Sequence, residues 1–150
     1  MEKLRVEKKD IYVIEVNDEK ETIEFDLADI GLSFKCAKAL DEIDKIKQGA
    51  KMGEIAINNK EKVKGKYMTR NEEEILKLWQ DTFIKMRVAM DIFLGKGACQ
   101  KIFGDRNYIE MYDDLIEQLE PHLEKMQITF DGMKKRITEK YSIDKDKVIE

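Results

Sequence analysis

An apolar seam with helical spacing runs along the last third of the chain and limits the folds that the chain can adopt. A straight helix over residues 107–141 would measure about 52 Å. A compact chain of 150 residues has a diameter of only about 38 Å. A straight helix would therefore overhang the domain, and its apolar stripe would need cover from another chain. The seam consists of Tyr108, Tyr112, Leu115, Leu119, His122, Met126, Phe130 (or Thr129), Met133, Ile137 and Tyr141.

Pro121 and Gly132 interrupt this seam. Pro121 lacks an N–H donor and crowds the carbonyl of Glu117, so we expect a kink or the start of a second helix there. Asp105 or Asn107 can cap the N-terminal end. The pattern predicts a long or broken helix over residues 105–141.

The residue pattern in the first part of the chain predicts a β-hairpin over residues 11–29. Residues 11–18 are rich in β-branched and aromatic side chains, and residues 22–29 alternate strictly, with Ile23, Phe25 and Leu27 on one face. The connecting residues contain no glycine, so primed-turn rules assign no turn type. A lone hairpin is marginal in water, so its apolar side must pack on another element.

Two amphipathic helices are expected between the hairpin and the seam. The first spans residues 33–48, from a cap at Ser33 to an end near Gly49. The second spans residues 71–94, and Asn71 with Glu74 forms its capping box. Residues 49–68 hold three glycines and a lysine cluster, and we interpret them as a connector. The expected core stripes are Cys36, Leu40, Ile43 and Ile46 in the first helix, and Ile75, Trp79, Thr82, Met86, Ala89 and Phe93 in the second.

Composition supports the same fold class. The chain has 40% charged residues, 42% hydrophobic residues and one proline, a composition rich in helix formers and poor in turn formers. We therefore predict one domain over residues 1–150 that is mainly helical, with a long C-terminal helix and an N-terminal β-hairpin.

The glycine-rich stretch FLGKGACQKIFGD does not match a nucleotide-binding loop. A Walker loop needs Ser or Thr after Gly-Lys, but Gly97 follows Lys96, and Gln100 stands where a dinucleotide fingerprint needs its third glycine. A helix, not a strand, precedes the stretch. We interpret these glycines as a helix C-cap and turn.

Carboxylates at helical spacing raise a catalytic alternative. Glu110 with Asp113, and Glu117 with Glu120, could bind a divalent metal as in the all-helical nucleotide pyrophosphohydrolases. Those enzymes have an E-x-x-E pair followed on a later helix by E-x-x-D, and here the order is reversed within one helix. We therefore favour a solvated helix face and predict no metal, cofactor or catalytic site.

The remaining reactive residues also point away from catalysis. His122 lies on the apolar seam, where we expect a histidine at the edge of the core. Cys36 and Cys99 are far apart and form no Cys-x-x-Cys pair, so neither a zinc site nor a disulfide framework is expected. No nucleophile motif accompanies the histidine.

The distribution of charge along the chain is more informative than the net charge. The net charge of −4 argues against nucleic-acid binding, and the absence of a long apolar run argues for a cytosolic protein without a membrane span. Residues 105–124 carry seven acids against Arg106, whereas residues 45–66 carry seven lysines against Glu54 and Glu61. These patches can pair within one protomer or between protomers.

Two stretches, YVIEVNDEKETIEFDLAD and MRVAMDIFLGKGACQKIFGDRNYIEMYDDLIEQL, resemble the tail assembly chaperones of tailed phages and prophages of Gram-positive bacteria. The most telling part is Phe93-Leu94-Gly95-Lys96-Gly97 with Ile102-Phe103-Gly104-Asp105. The resemblance implies a non-catalytic protein that binds the tape measure protein in the host cytoplasm, helps to recruit tail-tube subunits and is absent from the finished virion.

The leading hypothesis is therefore a phage tail assembly chaperone that forms a homo-oligomer. The alternatives are a metal-dependent nucleotide pyrophosphohydrolase and a structural tail-completion protein that stays in the particle. Along the seam, the candidate partner-binding residues are Leu119, Met126, Phe130, Met133 and Ile137.

Overall fold

A computed structural model describes residues 1–8 and 10–126 of the chain. It contains a two-stranded antiparallel sheet followed by four helices, so the predicted mainly helical fold with an N-terminal β-hairpin is confirmed. The strands are β1 (Ile11–Glu15) and β2 (Thr22–Asp26), and the helices are α1 (Leu32–Asn58), α2 (Arg70–Leu94), α3 (Ala98–Phe103) and α4 (Met111–Lys125).

The β-hairpin follows the alternation of its sequence. Val13 pairs with Glu24, and the neighbouring Ile23 and Phe25 point into the core. The turn is held by Asn17, whose side-chain oxygen accepts a hydrogen bond of 3.0 Å from the backbone N–H of Glu21. An Asx-type contact of this kind can shape a turn that has no glycine. The primed-turn rules rely on glycine and therefore assigned no turn type here.

Helix α1 ends ten residues later than its sequence pattern suggested. The prediction that residues 49–68 form a connector is wrong for residues 49–58, which continue α1, and the connection spans residues 59–69. Gly53 explains part of the error, because a Cβ there would lie 3.1 Å from Cδ2 of Leu78 on α2. This glycine marks a close approach of two helices rather than the end of one.

The N-terminal cap of α2 is Thr69, so the prediction of an Asn71 capping box is wrong. The Thr69 hydroxyl accepts a hydrogen bond from the N–H of Glu72, and the Glu72 carboxylate accepts one from the N–H of Thr69. Asn71 is buried and donates instead to the carbonyl of Ile57, at 3.0 Å. Its amide therefore satisfies a carbonyl near the C-terminal end of α1.

Helix α1 also begins differently from the prediction. Ser33 was expected to cap it, but Ser33 is buried inside the first turn and Gly31 precedes the helix without a side-chain bond. The carboxylate of Asp29 accepts a hydrogen bond from the Gly31 N–H and pairs with Lys35. These two contacts lower the pKa of Asp29.

The glycines after α2 form a helix end and a turn, as predicted. Gly95 and Gly97 have φ values of 108° and 77°, in the region that side chains with a Cβ rarely adopt. The carboxylate of Asp91 accepts hydrogen bonds from the N–H groups of Gly97 and Cys99, at 3.2 and 2.9 Å. This carboxylate fixes the path of the chain from α2 into α3.

Helix α4 begins at Met111 instead of at the predicted caps. Asp105 accepts a hydrogen bond of 2.9 Å from the Gln100 side chain, and Asn107 accepts one of 3.2 Å from Nε of Arg87. Both potential caps are therefore occupied by contacts with earlier elements. The chain reaches the first turn of α4 without a side-chain cap.

Pro121 lies inside α4, which continues to Lys125. No second helix starts at Pro121, so that part of the expectation is wrong. The predicted stretch from residue 127 to residue 141 lies outside the described residues.

The hairpin, α1, α2, α3 and α4 all contribute buried side chains to one hydrophobic cluster. Phe25 of β2 packs on Phe93 of α2, with ring centroids 5.1 Å apart. Lys101 of α3 donates to the carbonyl of Thr22 at 3.1 Å and so attaches the hairpin to α3. The hairpin thus acquires the packing partner that its marginal stability requires.

Candidate functional site

The seam residues proposed to bind a partner fall in two groups. Leu119 and Met126 are 6% and 2% exposed and belong to the core of the chain itself. The expectation that these two residues present an uncovered stripe is therefore corrected. Phe130, Met133 and Ile137 lie outside the described residues, and their role stays a prediction.

This part of the seam is covered by residues of α1, α2 and β1. Leu119 lines a small space together with Cys36 of α1 and Phe93 of α2. On the other side, the Tyr12 hydroxyl of β1 and Nδ1 of His122 form a hydrogen bond of 2.8 Å. His122 is half-buried, in agreement with its prediction as a histidine at the edge of the core.

A second apolar stripe on α2 was missed by the sequence analysis. Ile84, Val88 and Ile92 are spaced four residues apart and are 63%, 65% and 40% exposed. Side chains at this spacing lie on one face of a helix. The signal is present in the sequence, since α2 carries apolar residues on two sides, but the three- and four-residue spacing of the core stripe is the stronger pattern.

Together with α1, this stripe forms an apolar groove of about 530 Å³. Ile46 of α1 and Ala89 of α2 complete its apolar lining, and charged side chains complete the remainder. Its lining residues in the described part of the chain are Lys38, Glu42, Ile46, Ile84, Lys85, Val88, Ala89 and Ile92. We call this surface the α1–α2 groove.

The α1–α2 groove lies on the side of the helix pair that faces away from α4. Helix α4 meets α1 through Leu40, which shares a small apolar space with Ile116 and Leu123 of α4. Lys47 of α1 forms an ion pair of 3.0 Å with Asp113 of α4. Helical geometry places Leu40 and Lys47 roughly opposite Lys38 and Glu42 on α1, with Ile46 between these two sides.

Positive charge exceeds negative charge among the residues that line the α1–α2 groove. Neither Lys38 nor Lys85 has an ion-pair partner within the described part of the chain. Glu42 does have one, because its carboxylate lies 4.0 Å from Nζ of Lys45. The groove thus offers one unpaired ammonium group from each helix.

The ion pair between Lys47 and Asp113 also joins the two charge patches of the sequence within one protomer. Asp113, Glu110, Glu117 and Glu120, the carboxylates of the catalytic alternative, all lie on the exposed face at or within α4. Among residues 1–8 and 10–126, no three His, Cys, Asp or Glu side chains are grouped closely enough to hold a metal ion.

The two cysteines are free and buried. Burial raises the pKa of the Cys36 thiol to about 11, and it also raises the pKa of Cys99, to which the nearby Asp91 carboxylate adds. A thiol with a raised pKa is protonated at neutral pH and is a poor nucleophile. Both side chains act as small apolar residues of the core.

No family model, curated protein or solved structure matches the chain. None of the helices in the described residues combines the length and the apolar character needed to cross a membrane.

Proposed function

We propose that this protein is a non-catalytic tail assembly chaperone of tailed phages or prophages of Gram-positive bacteria, and that its α1–α2 groove binds helical segments of the tape measure protein. The observation that carries the proposal is the exposed stripe of Ile84, Val88 and Ile92 beside Ile46. An amphipathic helix laid in an apolar groove is a recurrent mode of peptide recognition. The resemblance of the sequence supplies the identity of the partner.

The size of the apolar stripe suits reversible binding. Full burial of a large aliphatic side chain contributes about 1.5–3 kcal/mol, and the three stripe residues are already partly covered. Ordering the partner helix and losing its free motion offset a large share of this gain. We therefore expect moderate affinity, which allows a chaperone to release the tape measure protein when the tail tube assembles around it.

In this proposal the protein works in the cytoplasm of the bacterial host and is absent from the finished virion. It shields the apolar faces of the tape measure protein, whose exposure would otherwise cause aggregation. Tail-tube subunits are a second partner, and the working form is a homo-oligomer.

Co-expression with the tape measure protein of the same phage tests the proposal. We expect the wild-type chain to raise the soluble yield of that protein several-fold. The double variant Ile84→Asp with Val88→Asp should lose this effect, because docking would bury unpaired carboxylates. Both positions are more than half exposed, so the variant should keep its helical circular dichroism and its thermal midpoint.

A matched control uses an exposed apolar residue outside the groove. Ile109, which precedes α4, is 67% exposed, and Ile109→Asp should leave the soluble yield of the tape measure protein unchanged. If the folded double variant solubilises the partner as well as the control does, the groove is not the contact surface. If the wild type fails to solubilise the tape measure protein, the chaperone proposal is rejected.

A further inference from the structure

The charges beside the α1–α2 groove distinguish between classes of partner helix. Lys38 comes from α1 and Lys85 from α2, so the two ammonium groups approach the groove from different helices. The Glu42 carboxylate also lines the groove, so the lining carries two ammonium groups and one carboxylate, a net charge of +1. A helix lying in the groove therefore meets net positive charge at its flanks.

We propose that the α1–α2 groove selects amphipathic helices whose apolar stripe is flanked on both sides by carboxylates. This inference rests on the proposed function of the groove and adds the chemistry of its partner. The stripe from Ile84 to Ile92 spans about 12 Å along the helix axis. A partner segment of about three turns, with apolar residues at i, i+4 and i+8, covers that length.

The physical basis is the difference between paired and repelled charges at a partly exposed edge. Acidic flanks gain an ion pair with each lysine, whereas basic flanks place like charges against Lys38 and Lys85. Charge complementarity of this kind governs specificity and association rate more than total affinity. Apolar contacts hold the helix, and the lysines determine which helices are accepted.

Three synthetic helical peptides with the same apolar stripe and with Glu, Gln or Lys on both flanks test the inference against the full chain. We expect the Glu peptide to bind about fivefold more tightly than the Gln peptide, as two exposed ion pairs allow. The Lys peptide should bind most weakly. The preference for Glu should disappear near 1 M salt, where charges are screened within about 3 Å.

Charge reversal supplies the decisive comparison. The variant Lys38→Glu with Lys85→Glu should invert the ranking, so that the Lys peptide binds best. The control variant Lys51→Glu with Lys125→Glu changes the net charge equally at exposed positions outside the groove, and it should keep the wild-type ranking. An unchanged ranking after reversal at positions 38 and 85 overturns the inference.

Other outcomes separate this inference from the proposed function. Equal binding of all three peptides, abolished by Ile84→Asp with Val88→Asp, means that the groove binds helices by shape alone; the inference then fails while the proposed function stands. Failure of every peptide to bind also overturns the inference, and the co-expression result judges the function independently. A wild-type dimer that the same double variant dissociates assigns the groove to a second copy of the chain and overturns the inference.

Discussion

The hydroxyl of Tyr112 is a polar group buried among apolar side chains. It is 0% exposed, and its ring packs edge-on against Phe103 at a centroid distance of 5.6 Å. Its hydroxyl has no hydrogen-bond partner within the described residues. Burial of this kind raises the pKa of the Tyr112 phenol. A buried hydroxyl without a partner lowers stability, because it loses its hydrogen bonds to water on folding.

We therefore expect Tyr112→Phe to leave the fold intact and to raise the free energy of unfolding by about 1 kcal/mol. The substitution keeps the ring contact with Phe103 and removes the oxygen that is buried without a hydrogen bond. Urea denaturation followed by circular dichroism measures the difference. A loss of stability of similar size would show that the hydroxyl makes a hydrogen bond in solution.

Cys36 predicts a dependence of stability on pH. The pKa of its thiol rises from the ordinary value of 9.0 to about 11 in the folded protein. Below the unfolded value the thiol is protonated in both states, so its contribution is fully present there. As the pH rises through this window the unfolded thiol ionises first, and the free energy of unfolding falls. Cys99 adds a change in the same direction.

Urea titrations at several alkaline pH values measure this fall, and Cys36→Ala is the comparison. The variant loses some packing at every pH, but its stability should decrease less steeply with pH, because one of the two perturbed thiols is gone. Identical slopes in the two proteins would mean that Cys36 ionises normally in the folded state.

At the scale of elements, glycines have opposite roles in neighbouring helices. Gly49 is exposed within α1, and a Cβ there would meet nothing within 4 Å. Gly95 ends α2 at φ 108°, where an L side chain is strained. The same residue type thus weakens one helix and is required at the end of the other.

This contrast gives a paired prediction. Gly49→Ala should raise the free energy of unfolding by about 0.5–1 kcal/mol, because alanine loses less backbone entropy in a helix. Gly95→Ala should lower it by about 1–3 kcal/mol through backbone strain. Thermal and urea unfolding compare both variants with the wild type. Destabilisation by Gly49→Ala would argue that residues 49–58 do not continue α1 in solution.

Across the described residues, the elements cover one side of the α1–α2 pair, and none of them packs over the other side. The hairpin and α4 cover the side that carries Cys36 and Phe93. The stripe of Ile84, Val88 and Ile92 is left at the surface of the other side. This asymmetry makes the helix pair a candidate platform for a partner helix, and it determines the choice of variants in the co-expression test.

Much of the local structure could be predicted because it depends on short-range periodicity. The alternation of Ile23 with Phe25 placed them on the buried face of a strand, and the three- and four-residue spacing of Met86, Ala89 and Phe93 placed these residues in the core. The turn at Gly95 and Gly97 was also predictable, since it follows from backbone sterics at those residues.

Side-chain roles were less predictable where two uses compete. Asn71, Asp105 and Asn107 are all good helix caps, yet each hydrogen-bonds a residue of another segment. A local pattern lists the bonds that a side chain can form, but only its neighbours in space decide which bond it forms. The same holds for Gly53, because only its position beside Leu78 shows that it allows a close approach of α1 and α2.

Periodicity and backbone sterics act within a few residues, so the class of the fold, the hairpin, most residues of the core stripes of α1 and α2 and the glycine turn were predictable before packing was known. Which apolar stripe is covered depends on how the elements pack together. Leu119 is covered by segments far away in the chain, whereas Ile84 and Val88 are exposed because no described element packs over them. Burial is a property of the packed assembly of elements, so the candidate binding surface emerged from packing and not from pattern.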